Sequence, residues 1–307
     1  MDNKVHTIMY HFIRNKNELG LKFNFLDIKI FEEQINYFRS NFNLINIDDL
    51  LNFKEISSKK DAVLLTFDDG YIEHYDIVLP ILKKNNIQGC FYIPTSIIEN
   101  NLLSVNKIQL IVLNTETELA LSELFEIMKR YKSDFNLKSR EEYFSLYGIK
   151  NRWDNIKVSF IKKMLQYVLP LPIRDLIIDE LFVKFVKDKT NNLSLYMSVK
   201  QIQDLYNEGM YIGGHTHNHY HLKNCSYPIQ YKEIKKSIEL LANIGIQHVN
   251  KSFAYPFGSY NKDTISILSE LNIHSSFCVK HGSIDKTNLA KCFELPRIDC
   301  NNIKKFM

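Results

Sequence analysis

At 307 residues, 45% hydrophobic and 12% aromatic with only 10 Gly and 7 Pro, the chain has a globular composition that excludes a disordered or fibrous protein. It is long enough for one large α/β domain or two ordinary ones. The 39 Lys and Arg stand against 35 Asp and Glu, and a net charge of +4 with no focused basic stripe does not imply nucleic-acid binding.

In chain order, Val5–Phe12 reads as a strand with Met9-Tyr10-His11 near its end. Asp27–Ser40 sets Ile28, Ile30, Phe31, Ile35, Tyr37 and Phe38 between charges, an amphipathic helix with Asp27 as its N-cap. Leu44–Ile47 is a short strand and Asp48-Asp49-Leu50-Leu51 opens a helical turn. Ala62–Leu65 is an apolar run that reads as a buried strand, and it leads into Thr66-Phe67-Asp68-Asp69-Gly70, where the glycine ends it in a turn. Tyr75–Asn86 is helical, with Pro80 expected to start or kink the helix and Lys83-Lys84 suited to its C-terminal end. Gly89–Pro94 is the next strand. This rhythm signals a parallel sheet or an α/β barrel.

From Glu99 to Tyr196 the period becomes helical: Leu119–Met128, Val158–Leu169 and Arg174–Val186, punctuated by Pro170 and Pro172, with the single tryptophan, Trp153, in the middle. Because strands resume afterwards, residues 100–197 are expected to be a helical insertion in an α/β unit made of 1–99 and 198–307. Ser198–Asn207 is a helix capped by Ser198 and closed by Gly209. The strand Met210–Ile212 then runs into Gly213-Gly214-His215-Thr216-His217-Asn218-His219-Tyr220-His221. Helices at Tyr231–Asn243 and Lys262–Leu271 flank Phe253–Gly258, and Ser276–Val279 and Phe293–Ile298 are the last strands.

Two stretches carry chemistry. Asp68 and Asp69 are adjacent carboxylates at a strand's mouth, and a site that holds both ionised is expected to supply a cation. The second stretch has four imidazoles in seven residues. An Asp with two His leaves a divalent metal with open positions, as catalytic sites need. Either stretch alone reads more simply as a turn or a solvated tract. Both together, each behind an apolar strand, favour a metal site. His215/His219 and His217/His221 share the same spacing, which does not choose between them.

In this order the stretches resemble the polysaccharide deacetylase family, the NodB-type carbohydrate esterases, over residues 5–99 and 198–299. Thr66–Gly70 looks like the family's first motif. His215-Thr216-His217-Asn218-His219 looks like its second, H-[ST]-x-x-H, and the Thr after His215 selects the first pair. The resemblance implies a distorted (β/α) barrel, seven- rather than eight-stranded. It further implies one divalent metal held by Asp69, His215 and His219, with zinc the first choice and cobalt or nickel the alternatives, and Asp68 as catalytic base. Ala254-Tyr255-Pro256-Phe257-Gly258 is similar to the third motif, but many members have an Arg where this chain has Ala or Tyr. Arg297, in Leu295-Pro296-Arg297-Ile298-Asp299, is the expected substitute partner of Asp68, its plainer reading being a structural ion pair. The last motif, an L-x-H supplying the general acid, is missing from the C-terminus. Members that modify biofilm polysaccharides carry this His on the first strand after a Tyr, and Met9-Tyr10-His11 is similar, so His11 is the expected acid.

The implied activity removes an N-acetyl group from an amino sugar used in surface polysaccharide or glycan biosynthesis; with no secretory leader pattern, the expected substrate is a sugar built inside the cell, nucleotide- or lipid-carrier-linked, rather than a finished wall polymer. Tyr10, Tyr255 and Phe257, with Tyr260, are candidate sugar-facing aromatics, and backbone N–H groups near Tyr255–Gly258 are candidate oxyanion donors. The same site would also support hydrolysis of another amide or ester, and a glycan-binding module that lost catalysis is the rival from a different class. Met1–His6 shows no secretory leader pattern, and no apolar run reaches the ~18 residues a membrane span needs. Cys90, Cys225, Cys278, Cys292 and Cys300 are odd in number without a CxxC pair, which fits neither a disulfide framework nor a thiolate zinc site. A cytoplasmic protein with reduced thiols is expected.

Overall fold

The apolar run before the two carboxylates is a strand buried along its whole length, Ala62–Asp68, and the other strands are arranged around it. A computed structural model describes residues 4–15, 25–52, 60–150, 154–186, 194–285 and 292–305. Its strands are β1 (Val5–Tyr10), β2 (Ile13–Arg14), β3 (Leu26–Asp27), β4 (Asn43–Leu44), β5 (Ala62–Asp68), β6 (Gly89–Ile93), β7 (Tyr211–Gly214), β8 (Phe253–Ala254), β9 (Ser276–Phe277) and β10 (Ile298–Asp299). Parallel ladders order them β10-β1-β5-β6-β7-β8-β9, with β2 and β3 paired apart. β4 takes the edge of β5 at Ala62 and Val63, before β6 joins it at Leu65.

The last segment brings the two ends of this order together. Leu295 N–H donates to Ser276 O and Leu295 O accepts from Cys278 N–H, while Ile298 and Asp299 pair with Ile8 and Met9. Seven parallel strands therefore curl into the deformed (β/α) barrel. Parallel neighbours need crossover connections, and helices supply them: α1 (Ile28–Asn41), α2 (Ile47–Leu51) and α3 (Leu79–Lys84), then, in the β6–β7 connection, the helices of the inserted unit followed by α9 (Val199–Asn207), and beyond β7 α10 (Tyr227–Asn243) and α11 (Lys262–Glu270).

Local chemistry sets the helix ends. The Asp27 carboxylate caps α1 by accepting from Lys29 N–H at 2.9 Å. Ser198 and Gln201 form a reciprocal capping box on α9. Pro228 in the first turn starts α10 at Tyr227, one turn before the expected Tyr231, because proline is tolerated where the N–H has no partner. Pro80 likewise sits at the start of α3, behind a π-helical turn at His74–Val78.

The helical unit spans Leu102–Leu193. It contains α4 (Ser104–Asn114), α5 (Thr117–Arg130), α6 (Arg140–Tyr147), α7 (Ile156–Lys163) and α8 (Leu171–Phe185). It has its own buried residues, among them Leu110, Leu124, Phe160, Leu165, Ile177 and Leu181. Its boundary falls short of the expected 100–197, because Leu195–Met197 pairs with the barrel: Ile72 N–H donates to Leu195 O, and Met197 N–H to Gly70 O. Trp153 lies outside the described residues. Among the described residues, no helix is long and apolar enough to cross a membrane.

Side chains on a strand alternate between two faces. Ala62 and Leu64 of β5 turn into the barrel with Val5, Cys90, Tyr92, Tyr211, Ala254, Phe277 and Leu295. Phe67 turns out to meet Tyr10, Phe31 and Phe91. The same alternation carries Asp68 inward at the end of β5, His215 inward beyond Tyr211 and Gly213, and His11 inward beyond Met9.

Gly213 is the tightest of these inward positions. A Cβ there would stand 2.7 Å from both Ser252 O and a ring carbon of Tyr92. Neither can give way, since the Tyr92 hydroxyl is itself bonded to Ser252 Oγ at 2.6 Å. Gly213→Ala should therefore destabilise by about 1–3 kcal/mol of overpacking, outweighing the ~0.4–1 kcal/mol that Ala gains through the unfolded chain. Urea denaturation checks this, and an unchanged midpoint would mean the barrel interior has slack.

Candidate active site

β5 ends at Asp68, and the chain then turns through left-handed backbone at Asp69 (φ 77°) and Gly70 (φ 68°). Asp tolerates this region. Asp69 N–H donates to Tyr92 O at 3.1 Å, which fixes the turn. Both carboxylates are buried, at 1% and 4% exposure. Asp68 Oδ1 accepts from Arg297 Nη1 at 2.7 Å, and the same nitrogen reaches Thr66 Oγ1 at 3.3 Å. Asp69 Oδ2 accepts from the Tyr71 hydroxyl at 3.0 Å. Each acid thus has one oxygen tied down and the other turned toward imidazoles.

His215 stands at the end of β7 with Nδ1 2.7 Å from Ala254 O. A carbonyl only accepts, so Nδ1 carries the proton and the Nε2 lone pair faces the carboxylates. His215 Nε2 is 3.5 Å and His219 Nε2 3.1 Å from Asp69 Oδ1. The ligand atoms of Asp69, His215 and His219 all lie within 4.8 Å of one another. His217 and His221 are turned elsewhere: Lys236 Nζ donates to His217 Nε2 at 2.9 Å, His217 Nδ1 meets Thr95 Oγ1 at 3.0 Å, and His221 stacks on Phe257. The backbone therefore decides between the two histidine pairs, with left-handed residues at Thr216 (φ 62°) and His219 (φ 60°).

His11 brings Nε2 to 3.9 Å from Asp68 Oδ2 while its side chain stays 41% exposed. His215 Nε2 is 4.0 Å from that same oxygen. Behind His11, His74 donates from Nε2 to the His11 carbonyl at 2.9 Å.

Burial pushes the Asp68 carboxyl up, but the Arg297 guanidinium, followed by His215, outweighs it and holds the group below the usual carboxylate range. Burial also raises Asp69, but His219 with the other imidazoles overrides it and holds this group too below the usual carboxylate range. Burial pulls His215 down to about 4, so it is a neutral imidazole with a lone pair to offer. A divalent metal fits this donor set. Asp69 Oδ1 is a buried anionic oxygen with no hydrogen-bond donor among the described residues, and two imidazole nitrogens converge on it, the mix that borderline divalent ions take.

Two of the expected sugar-facing aromatics belong to the core instead. Tyr10 is fully buried against Phe31 and Phe67, and its hydroxyl donates to Gln34 Oε1 at 2.8 Å. The strand pleat sends neighbours to opposite faces, so Tyr10 turns outward where His11 turns inward. Tyr255 follows Ala254 in the same way: its ring packs with Phe253, Ile267 and Leu268 outside the barrel, and its hydroxyl donates to Phe293 O at 3.0 Å. Tyr260 stacks on Tyr255 and donates to Glu294 Oε1 at 2.8 Å. Phe257 stays at the rim, 37% exposed, with its ring 4.7 Å from that of His219.

Sequence reasoning overlooked Tyr71, His74 and Glu233. Tyr71 directly follows the Asp-Asp-Gly turn, and Glu233 lies on the buried face of α10 with Gln230 and Ser237. Polar residues at core positions of a helix are the available signal, since buried polar groups need partners.

More than half of the chain, residues 55–131 and 182–276, matches the family model described as Polysaccharide deacetylase. The chain belongs to the polysaccharide deacetylase family. Asp68, Asp69, His215 and His219 lie within the matched residues, and His11 and Arg297 lie outside them. No curated protein matches by sequence. Among solved structures, a Streptococcus pyogenes deacetylase, PplD, in complex with acetate, is similar with a TM-score of 0.62 at 18% identity, covering 100% of this chain and 99% of that one. A de-N-acetylase from Aggregatibacter actinomycetemcomitans gives 0.59 at 15% identity, with 99% and 100% covered. IcaB from Ammonifex degensii gives 0.56 at 15% identity, with 96% and 91% covered. At such identities the likeness is one of fold.

In this family member Arg297 supplies the buried cation that Asp68 needs, and removing one partner of a buried pair typically costs about 3–5 kcal/mol. Arg297→Met should destabilise on that scale. A depressed carboxyl contributes stability above its unfolded pKa, and that contribution is lost as pH falls through the folded pKa. Without Arg297, burial dominates, Asp68 protonates at higher pH, and the acid limb of the stability profile moves up. Urea denaturation over about pH 4–8 measures both effects; wild-type stability with an unmoved acid limb would make the pair peripheral.

Proposed function

We propose that this polysaccharide deacetylase is a metal-dependent carbohydrate N-deacetylase that hydrolyses the acetamide of an amino sugar in surface polysaccharide or glycan biosynthesis. The observation that carries the reading is the convergence of Asp69 Oδ1, His215 Nε2 and His219 Nε2 beside Asp68 and His11. The similarity in fold to a protein described as a de-N-acetylase supports the same bond type.

A divalent ion held by Asp69, His215 and His219 would polarise the acetyl carbonyl and make the attacking water more acidic. Asp68 takes the proton from that water. Its Oδ1 is held by Arg297, so Oδ2 is the accepting atom. His11 donates to the nitrogen of the leaving amine, which departs poorly as an anion. Its partial exposure lets a sugar approach from solvent while its Nε2 stays near the base. In the turn after β8, Tyr255 N–H and Gly258 N–H are bonded to Phe277 O and Tyr255 O, and Pro256 has no N–H. The oxyanion is therefore assigned to Phe257 N–H. The Phe257 ring is assigned to a sugar face.

Metal-stripped protein should release acetate from an N-acetylated hexosamine oligomer only when zinc, cobalt or nickel is restored. Asp68→Asn should keep the ion yet lose turnover on the order of 10²-fold, because an amide cannot take the proton. Failure to release acetate with every ion would favour a silent glycan-binding barrel.

His11→Ala separates the acid from the base. It should cripple amide hydrolysis while sparing much of the turnover of an aryl acetate, whose leaving group needs no proton. Equal loss on both substrates, or loss on neither, removes His11 from the acid role.

A further inference from the structure

The backbone between His215 and His219 is gripped from two sides. From the 3-10 turn Thr95–Glu99, the N–H groups of Thr95 and Ser96 donate to the carbonyls of Thr216 (3.1 Å) and His217 (2.9 Å). From α10, Glu233 Oε2 accepts from the N–H groups of His217 (3.1 Å) and Asn218 (2.7 Å), and Oε1 accepts from Asn218 Nδ2 at 2.6 Å. Glu233 is 5% exposed.

We infer that Glu233 is a positioning residue for the metal site: its carboxylate fixes the loop so that His215 Nε2 and His219 Nε2 already converge on Asp69 before an ion binds. This rests on the reading that these three residues bind a metal. The loop holds left-handed backbone at Thr216 and His219, neither of them glycine. Such residues cost about 1–3 kcal/mol each and persist only where the surroundings over-determine them. Within the loop, His219 N–H donates to Thr216 Oγ1 at 2.9 Å. That bond does not hold His217 and Asn218, two of the three residues between the ligands, which is where the Glu233 carboxylate acts. Its two oxygens accept there from two backbone N–H groups and the Asn218 amide. A buried acid is a costly way to fill space on a helix, since an apolar side chain of similar size would serve packing as well or better. Its place there is accounted for by the donors it meets on His217 and Asn218, which lie between the two imidazole ligands.

The test titrates cobalt(II) and zinc(II) into metal-free wild type and the variants Asp69→Ala, Glu233→Ala, Glu233→Asp and Glu233→Gln. Each is held below its own metal-free thermal midpoint as followed by circular dichroism. Asp69→Ala should abolish binding. Glu233→Ala should weaken it about 10–100-fold, the usual range for groups that orient metal ligands. Glu233→Asp keeps the charge but withdraws it by one methylene, and it should weaken binding similarly, carrying the test should the Ala variant not fold. Glu233→Gln should stay within a few-fold of wild type, because its amide oxygen can accept from the two backbone N–H groups while the Asn218 amide flips to accept from its NH2. The order Gln above Asp distinguishes geometry from simple charge. If Asp binds as tightly as wild type and Gln does not, Glu233 acts by charge and the inference fails. It fails too if Asp69→Ala abolishes binding but the Glu233 variants leave it intact. If Asp69→Ala leaves binding unchanged, the metal site itself is misread and the inference falls with it.

Discussion

Two adjacent carboxylates buried at the end of one strand are the constraint on which the rest of this barrel depends. Taking an ionised carboxylate out of water costs several kcal/mol, and two side by side repel each other as well. The protein answers each separately. Asp68 receives a guanidinium that is always charged and itself buried. Asp69 receives a tyrosine hydroxyl on one oxygen and two imidazole nitrogens near the other, an arrangement that a divalent ion would complete. This division gives the carboxylates different tasks. The oxygen of Asp68 left over from its arginine is free to take a proton, whereas the corresponding oxygen of Asp69 sits among ligand atoms.

The parallel sheet makes the division possible. All seven strands run the same way, so their C-terminal ends, with the short turns after them, share one rim. The pleat then selects which residues face inward there. It places His11, Asp68 and His215 inside by the same alternation that places Tyr10 and Tyr255 outside among core side chains. Side-chain type does not enter this choice. A tyrosine beside a site histidine on one strand is excluded from the site as firmly as any leucine would be.

The parts of the site that could be read from the sequence were those carried by consecutive residues. Thr66–Gly70 and His215–His219 hold their chemistry within single turns, and both lie behind apolar runs long enough to read as strands. Fold class could be read for the same reason, from the alternation of apolar runs with amphipathic helices. What could not be read depends on long-range geometry. β8, β9 and β10 are two residues each, too short for a period of two to register, and they owe their existence to pairing with neighbours. The aromatic assignments failed at Tyr10 and Tyr255 because composition marks a residue as able to meet a sugar, while only register decides where it points. Glu233 left a faint signal, an acid on an otherwise core-facing helix stripe. Two of its partners are backbone N–H groups, which no sequence pattern names.

The two expected site residues that the family match does not cover, His11 and Arg297, come from opposite ends of the chain. They are neighbours in the sheet: β1 pairs with β10 through Ile8 with Ile298 and Met9 with Asp299. Arg297 therefore arrives one residue before that ladder and His11 two residues after it. Both reach Asp68 from the side of the barrel where the chain's first and last strands meet. The candidate metal-ligand atoms of Asp69, His215 and His219 come from the other direction, from the β5 turn and the loop after β7. On the proposed mechanism the site has a proton-handling half built on the barrel's closing seam and a ligand half built within continuous sheet. Asp68 is the residue common to both, bonded to the seam by Arg297 and adjacent in sequence to the ligand carboxylate. Closing the barrel and completing the candidate active site are on this geometry the same event, because the strand that pairs with β1 is also the one that neutralises Asp68.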